Sequence, residues 1–228
     1  MDSGREGLKA AAAERALELV ESGMVLGLGT GSTACYFITG LAQLVSSGLR
    51  ISVLATSEAS AQLARAAGIP VISDLDQRLD LAIDGADEID PGLNLIKGRG
   101  GAMFREKMVA QCSERFVVIA DDSKLVPRLG QGALPVEVLP FLWRRTAARL
   151  GALGANWELR GGLEHPYRTD NDNLVLDLRF PTGIADARDL EREINNIVGV
   201  IENGLFVAMA TGCIIASANG IQILGSLA

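Results

Sequence analysis

Residues 24–33 read MVLGLGTGST, an apolar run followed by a turn of two glycines and three hydroxyl side chains. The apolar run predicts a buried strand over residues 24–28, and the residues after the turn favour a helix as far as residue 44. A strand, a glycine-rich turn and a helix in this order are typical of an open parallel sheet. The stretch therefore predicts an α/β fold with a polar turn at the carboxyl end of its first strand.

Strands and helices alternate on both sides of this stretch. Helices are predicted over residues 7–21, 58–67 and 104–112, and strands over residues 51–55, 71–72, 81–83 and 115–120. The strands are short and apolar, as in a sheet that helices cover on both faces. We therefore expect a Rossmann-like parallel sheet.

The second half of the chain has a different order of elements. Strands are predicted over residues 134–138, 157–160, 173–179 and 205–208, with helices over residues 141–153 and 185–197. The order β-α-β-β-α-β is that of the ferredoxin-like fold. The predicted organisation is a Rossmann-like catalytic domain at residues 1–131 plus 206–228, with an inserted ferredoxin-like α+β domain at residues 132–205.

Composition excludes several classes of protein. The formal net charge of −7 argues against a nucleic-acid binder, which needs a clustered basic surface, but one phosphate group needs only a few local donors. No apolar run reaches the length of a membrane span, and residues 1–23 lack the apolar core of a signal peptide. We expect a cytoplasmic protein, or a protein of the plastid stroma if an upstream transit peptide was removed. Cys35, Cys112 and Cys213 lie far apart, so we expect buried free thiols.

The glycine-rich turn allows two interpretations. It is not a dinucleotide fingerprint, because Ser32 stands where the third glycine is required and the next strand ends in Thr56-Ser57 rather than in an acid. It also lacks the Gly-Lys-Ser/Thr of a P-loop. The turn is either a monophosphate site at a helix N-terminus or a tight turn with a capping hydroxyl.

Residues 84–90 read DGADEID and contain four acids. A calcium loop is disfavoured because Ala86 interrupts the alternating ligands and no bidentate glutamate follows at the required offset. The stretch is either a solvated acidic turn or a pair of functional carboxylates, Asp84 and Asp87, that handle substrate hydroxyls and relay protons.

Residues 97–106 read KGRGGAMFRE, a lysine and a glycine-rich loop followed by Glu106 at the start of a helix. Glu106 either complements the helix dipole or acts as a base. The dipole lowers the pKa of such a carboxyl, whereas burial and neighbouring aspartates raise it, and the two effects oppose each other here. His165 is the only histidine and is expected in a surface or packing role, so acid–base chemistry falls to carboxylates and lysines.

These motifs together resemble the ribose-5-phosphate isomerase A family over nearly the whole chain. The matching segments are Gly29-Thr30-Gly31-Ser32-Thr33, Asp84-Gly85-Ala86-Asp87-Glu88, Lys97-Gly98-x-Gly100, Arg105-Glu106-Lys107, Ala120-Asp121-x-Ser123-Lys124, Leu134-Pro135-Val136-Glu137-Val138 and Thr169-Asp170-Asn171. The resemblance implies interconversion of D-ribose 5-phosphate and D-ribulose 5-phosphate, a reaction of the pentose phosphate pathway and of carbon fixation. It implies no metal and no organic cofactor.

The resemblance also implies a role for each matching residue. Glu106 shuttles a proton between C1 and C2, Lys97 stabilises the enediolate oxygen, and Asp84 and Asp87 assist ring opening and hydroxyl proton transfer. The implied substrate-binding residues are Thr30, Gly31, Ser32, Thr33, Asp84, Gly85, Ala86, Asp87, Lys97, Gly98, Arg99, Gly100 and Lys124, with Lys9 as a further phosphate contact. The implied partners are a small sugar phosphate and further copies of the chain, in a homodimer or homotetramer, without nucleic acid or membrane.

The chain departs from the family pattern at one loop position. Arg99 stands where glycine is common, so it either contacts substrate or points to solvent. Two other functions remain to be compared with isomerisation. A sugar-phosphate sensor is disfavoured because the chain lacks an appended DNA-binding segment and keeps Lys97 and Glu106, and a CoA-transferase-like enzyme is disfavoured because no adenine-nucleotide site is recognisable.

Overall fold

The computed structural model describes residues 2–228, and the chain divides into two units. The first unit comprises the chain through Ala86, Arg105–Lys124 and Ala208–Ala228. The second comprises Asp87–Phe104 and Leu125–Val207, so it contains the range predicted for the small domain and extends it on both sides. No helix among residues 2–228 has the length and apolar character needed to cross a membrane.

The elements alternate along the chain as the sequence pattern predicts. The helices are α1 (Asp2–Leu17), α2 (Ser32–Ser46), α3 (Glu58–Ala66), α4 (Met103–Gln111), α5 (Trp143–Gly151) and α6 (Ala187–Asn195), with a single 3-10 turn at Asp122–Lys124. The first strands are β1 (Val25–Leu28), β2 (Ser52–Ala55), β3 (Leu79–Asp84), β4 (Glu88–Ile89), β5 (Leu95–Ile96) and β6 (Ser113–Asp121). The later strands are β7 (Leu134–Val138), β8 (Asn156–Leu159), β9 (Leu174–Arg179), β10 (Val200–Asn203), β11 (Leu205–Phe206), β12 (Gly212–Ser217) and β13 (Gly220–Gly225).

The first unit contains a six-stranded sheet in the order β13-β12-β6-β3-β1-β2. All neighbouring pairs are parallel except β12 and β13, which form an antiparallel hairpin at one edge. The C-terminal segment therefore returns to the first sheet, as predicted. The predicted Rossmann-like α/β class is confirmed.

The two faces of this sheet are covered in different ways. Leu26 and Leu28 of β1 point to one face, where they join a buried cluster with Phe37 and Leu41 of α2. Buried positions in α2 recur at residues 34, 37, 38 and 41, the spacing of one helix face. Gly27 points to the opposite face because side chains alternate along a strand, and α4 packs closely there.

The second unit contains the predicted β-α-β-β-α-β order. Its four-stranded antiparallel sheet has the order β10-β7-β9-β8, with α5 and α6 in the connections. Each helix contributes to a buried cluster with the sheet, through Leu150 of α5 and Ile194 of α6. The predicted ferredoxin-like α+β class is confirmed.

Several boundaries and one strand assignment were wrong. The closing strand of the small sheet is β10, whereas the predicted strand at residues 205–208 is only β11, which pairs with β5 in a separate three-stranded sheet. The apolar run LFVA gave the stronger strand signal, whereas the second half of β10 is polar, with Glu202 and Asn203. Residues 71–72 form a single bridge from Val71 to Val53, and α1 ends at Leu17.

The prediction that all three cysteines are buried was also wrong for two of them. Cys35 and Cys112 are exposed free thiols, and only Cys213, in β12, is buried. Burial raises the pKa of the Cys213 thiol to about 12, so it stays protonated at neutral pH. Cys35 lies on α2 and Cys112 directly follows α4. The sequence pattern of these short helices did not show which of their residues face solvent.

Gly27 supplies a stability test of the close packing between β1 and α4. A Cβ at this position would lie 2.5 Å from Cγ1 of Val109 and 2.9 Å from Cβ of Ala82. We expect Gly27→Ala to lower the free energy of unfolding by about 1–3 kcal/mol, measured by urea denaturation. The matched control is Gly7→Ala in α1, where no atom lies within 4 Å and the free energy should rise by about 0.4–1 kcal/mol. Equal effects of the two substitutions would contradict the packing argument.

Candidate active site

The carboxyl ends of β1 and β3 lie side by side in the sheet of the first unit. The chain passes from β1 to β2 on one side and then returns to β3 on the other, so the strand order reverses between β1 and β3. In open parallel sheets, ligands bind in the crevice at such a reversal. The glycine-rich turn follows β1, and Asp84 is the last residue of β3.

Asp84 joins these two strand ends. Its carboxylate is buried, and Oδ1 accepts hydrogen bonds from the N–H of Thr30 at 3.1 Å and of Gly85 at 2.7 Å. A Cβ at position 29 would lie 2.1 Å from the same oxygen, so only glycine permits this approach. The structure thus brings Asp84 against the glycine-rich turn after β1.

The Thr30 hydroxyl belongs to a cluster of hydroxyl groups. Its oxygen lies 2.8 Å from the hydroxyls of Thr56 and Ser57 and 3.2 Å from that of Ser60. Ser60 also donates to the carbonyl of Gly29 at 2.8 Å. The connection between β2 and α3 therefore holds the turn in place, a role that the sequence analysis did not assign to it.

The first turn of α2 presents backbone donors. Gly31 precedes the helix with φ of 105°, a conformation that glycine adopts without strain, and Ser32 and Thr33 begin the helix. Among the described residues, no side chain caps this end. Its first N–H groups have no partner inside a helix, and such groups favour an anion.

Glu106 and Lys124 also belong to the first unit. Glu106 lies in the first turn of α4 with its side chain buried, 5% exposed. Lys124 ends the 3-10 turn after β6 and is partly exposed. This turn is held by the buried Asp121, which accepts the N–H of Ser123 at 3.0 Å together with its hydroxyl.

Asp87 and Lys97 belong to the second unit. Oδ2 of Asp87 accepts the N–H of Arg99 at 2.9 Å, which fixes one peptide of the loop after β5. Lys97 is 3% exposed, and its Nζ lies 5.5 Å from the ring centre of Phe206. The negative face of an aromatic ring attracts an ammonium group electrostatically at such a distance.

The Arg99 side chain is held by Glu88, which the sequence analysis left without a role. The Arg99 guanidinium donates to Oε1 of the buried Glu88 carboxylate at 2.6 Å. The same carboxylate accepts N–H groups from Gly130, Gln131 and Gly132 at 2.6–3.1 Å. The Arg99 guanidinium is therefore paired with Glu88 although the residue is exposed, and contact with substrate stays a prediction.

Arg160 and Tyr167 contact the loop that contains Gly98, Arg99 and Gly100. Arg160 donates to the carbonyls of Gly98 and Arg99, and the Tyr167 hydroxyl donates to that of Gly100. Neither residue was predicted, because about sixty residues separate them from the loop and no spacing in the sequence reveals the contact.

The remaining predicted positions lie as follows. Gly85 and Ala86 connect β3 to Asp87, and His165 is exposed on the connection between β8 and β9, as expected. Lys9, in α1, pairs with Glu6 at 2.6 Å. A cavity of about 720 Å³, lined by Phe141, Leu142 and other residues of the second unit, contains none of the predicted site residues. Within residues 2–228, histidine, cysteine and acidic side chains form no cluster of three suited to a metal ion.

Comparison with known proteins places this chain among sugar-phosphate isomerases. The family model described as ribose 5-phosphate isomerase A (phosphoriboisomerase A) matches residues 52–220. Ribose-5-phosphate isomerase A of Gloeobacter violaceus is 51% identical over 220 residues, covering 95% of each chain. The probable ribose-5-phosphate isomerase 3, chloroplastic, of Arabidopsis thaliana is 46% identical, covering 96% of this chain and 83% of that protein.

Solved structures agree with the sequence comparison. A D-ribose-5-phosphate isomerase in complex with phospho-erythronic acid superposes with a TM-score of 0.93 at 41% identity, covering 97% of this chain and 99% of that chain. The ribose 5-phosphate isomerase A of Methanocaldococcus jannaschii superposes with a TM-score of 0.92 at 39% identity, with the same coverage.

Glu88 supplies a stability test within the second unit. Glu88→Gln keeps the size of the side chain but removes the charge that accepts three N–H groups and the Arg99 guanidinium. We expect the free energy of unfolding to fall by about 1.5–3 kcal/mol, measured by chemical denaturation. The matched control is Glu18→Gln, which removes an exposed ion pair with Arg15 and should cost at most about 1 kcal/mol. A loss no larger than that of the control would show that the Glu88 charge is not required.

Proposed function

The chain belongs to the ribose 5-phosphate isomerase A family and is an isomerase of ribose 5-phosphate, and we propose that it works through an enediolate with Glu106 as base. The proposed reaction interconverts D-ribose 5-phosphate and D-ribulose 5-phosphate. Glu106 takes the proton from C2 of the open-chain aldose and returns it to C1, so that no atom is gained or lost. The observation that carries this proposal is the burial of the Glu106 carboxylate in the first turn of α4, within a segment that matches the family.

The proposed base needs a partner for the charge that develops on the substrate. A proton next to a carbonyl is weakly acidic, so a carboxylate removes it only if the resulting oxyanion is stabilised. We assign this role to Lys97 and to N–H groups of the loop at Gly98, Arg99 and Gly100. A preorganised donor at such a position contributes about 3–4 kcal/mol of transition-state stabilisation.

Asp84 and Asp87 are the proposed groups for hydroxyl chemistry. Ring opening and the enediolate step both move protons on substrate hydroxyls, and a carboxylate accepts and returns such protons. Asp84 is held by two backbone N–H groups and Asp87 by one, so each carboxylate has a fixed orientation within its own unit. Gly85 and Ala86, between them in the chain, are proposed to contact the substrate through their backbone.

The proposed phosphate site consists of the turn after β1 and of Lys124. The N–H groups at Gly31, Ser32 and Thr33 stand at a helix N-terminus, where the helix dipole favours an anion. Thr30 orders the turn through its hydroxyl cluster, and Lys124 adds a positive charge. Holding the substrate by its phosphate lowers the entropic cost of placing C1 and C2 beside the base.

Cellular location and assembly are part of the proposal. The relatives include bacterial proteins and one described as chloroplastic, which fits either the cytoplasm or a plastid. We propose a homodimer or homotetramer that needs no metal and no organic cofactor, and that neither nucleic acid nor membrane is a partner.

Replacement of the proposed base tests the mechanism directly. Glu106→Gln keeps the side-chain volume but cannot take a proton, so kcat should fall by at least about 10³-fold while the substrate still binds. Ketose formation from ribose 5-phosphate is measured with and without EDTA, and EDTA should leave the wild-type rate unchanged.

The control is Glu114→Gln, an exposed carboxylate near the start of β6, which should keep the wild-type rate. Strong residual turnover by Glu106→Gln would remove Glu106 from the role of base. Binding of ribose 5-phosphate without turnover by the wild-type protein would instead favour a sugar-phosphate sensor.

Replacement of Lys124 tests the phosphate site. Lys124→Ala should raise KM for ribose 5-phosphate by about tenfold and change kcat by less than about threefold, because the charge binds substrate and transition state equally. Arg179→Ala, which removes an exposed cation from β9, serves as the control for net charge. An unchanged KM for Lys124→Ala would exclude the lysine from the phosphate site.

A further inference from the structure

The loop after β5 owes its shape to side chains that lie far from it in sequence. Gly98 has φ of 96° and Gly101 φ of 84°, so both residues adopt the left-handed conformation. A Cβ at Gly101 would lie 2.2 Å from the Tyr167 hydroxyl oxygen. The loop therefore packs closely against Tyr167, another residue of the second unit, and its own sequence does not determine its shape alone.

The Arg160 side chain makes two hydrogen bonds to the backbone of this loop. Its Nη1 donates to the carbonyl of Gly98 at 3.2 Å and to the carbonyl of Arg99 at 3.0 Å. Its remaining donors form a two-point contact with Asp177, from Nε at 2.9 Å and from Nη2 at 2.5 Å. The planar guanidinium is thus fully oriented by one carboxylate, which leaves a single nitrogen aimed at the loop.

Asp177 gives the guanidinium a rigid support. It lies in β9, which pairs with β7 at Pro135 and with β8 at Glu158, so strands flank it on both sides. Arg160 and Asp177 are each about one-fifth exposed, which limits competition from water. The position of the loop carbonyls is therefore set by the sheet of the second unit.

Tyr167 holds the next carbonyl of the loop. Its hydroxyl donates to the carbonyl of Gly100 at 3.3 Å, and its own N–H donates to the carbonyl of Arg160 at 2.8 Å. Partial burial raises the pKa of the Tyr167 phenol above its ordinary value, so the hydroxyl remains a donor at neutral and mildly alkaline pH. Three consecutive carbonyls are thus held by two neighbouring side chains.

Each held carbonyl determines the direction of one N–H group, because the two groups of a trans peptide point in opposite directions. The Arg99 N–H donates to Asp87, and the Gly101 N–H donates to the carbonyl of Gly98. The Gly100 N–H lies between them on an exposed residue, and it makes no hydrogen bond within residues 2–228. Its direction is set by the contact between Arg160 and the Arg99 carbonyl.

We propose that Arg160, oriented by Asp177, is a positioning residue for the isomerase reaction, and that it aims the Gly100 N–H at the developing enediolate oxygen. This inference rests on the function proposed above for the loop. Arg160 does not touch the substrate; it acts through the peptide between Arg99 and Gly100. Apart from the loop, the guanidinium contacts Asp177 as an ion pair and lies 5.6 Å from the ring centre of Tyr167.

Arg160→Lys is the variant that tests this role. Lysine keeps the charge, but its single nitrogen cannot bind Asp177 at two points and hold two carbonyls together. We expect kcat to fall about 10- to 100-fold and KM to change less than threefold, because the affected donor acts mainly in the transition state. Arg192→Lys is the matched control, since Arg192 pairs with Asp189 on the exposed face of α6, and it should keep the wild-type kcat.

Inhibition by two compounds shows whether Arg160→Lys affects only the position of the Gly100 N–H or damages the whole site. Phospho-erythronic acid carries a carboxylate where the enediolate oxygens develop, whereas inorganic phosphate occupies only the phosphate site. Arg160→Lys should weaken inhibition by phospho-erythronic acid about as much as it lowers kcat and leave inhibition by phosphate unchanged. A wild-type kcat, or equal effects on the two inhibitors including no effect on either, would overturn the proposal.

A second variant keeps the test decisive if Arg160→Lys does not fold. Asp177→Asn keeps the shape of the side chain but removes the charge that binds the Arg160 guanidinium. We expect kcat to fall about three- to tenfold, with weaker inhibition by phospho-erythronic acid and unchanged inhibition by phosphate. Both variants are assayed beside Glu106→Gln. An inactive Glu106→Gln with fully active Arg160→Lys and Asp177→Asn rejects only the role of Arg160, whereas an active Glu106→Gln rejects the proposed mechanism itself.

Discussion

The contact between Asp84 and the turn after β1 is the constraint on which the candidate site of the first unit depends. Two parallel strands, β1 and β3, end side by side at the reversal of strand order, and the Asp84 carboxylate closes the gap between them. This works only because position 29 has no side chain, since a Cβ there would collide with the carboxylate. The backbone donors fix the direction of the buried carboxylate, and the proposed hydroxyl chemistry depends on that direction.

The second unit applies the same principle to a loop instead of a strand end. The Glu88 carboxylate accepts hydrogen bonds from three backbone N–H groups and from the Arg99 guanidinium. Arg160 donates hydrogen bonds to the carbonyls of Gly98 and Arg99. Together they leave few degrees of freedom to the segment after Lys97. Preorganised donors are effective in catalysis because their orientation costs no free energy during the reaction. We therefore propose that the ferredoxin-like unit of this chain takes part in the chemistry as well as in the structure.

The chemistry proposed for this chain follows from the side chains it contains. Its one histidine is exposed on a loop of the second unit, which leaves carboxylates and lysines as the available acids and bases. Glu106, Asp84 and Lys97 are all buried, at 3–5% exposure, and burial of this kind is uncommon for charged residues without a functional or structural reason. The family comparison shows the reaction class, and the burial of these three residues supports the roles proposed for them.

The sequence by itself determined the fold class, the alternation of the main strands and helices as far as β9, and the motifs at residues 29–33, 84–88 and 97–106, because each depends on local periodicity or on neighbouring residues. It did not predict the short strands β4 and β5 or the C-terminal strands β12 and β13. It did not reveal β10 as the closing strand, the exposure of Cys35, or the side chains that hold the loop after Lys97. Tertiary structure alone decided that Arg160 contacts Gly98 and that Glu88 contacts Gly130, since these pairs lie 62 and 42 residues apart. Contacts over such distances arise from strand pairing and packing, which no local pattern of residue types records.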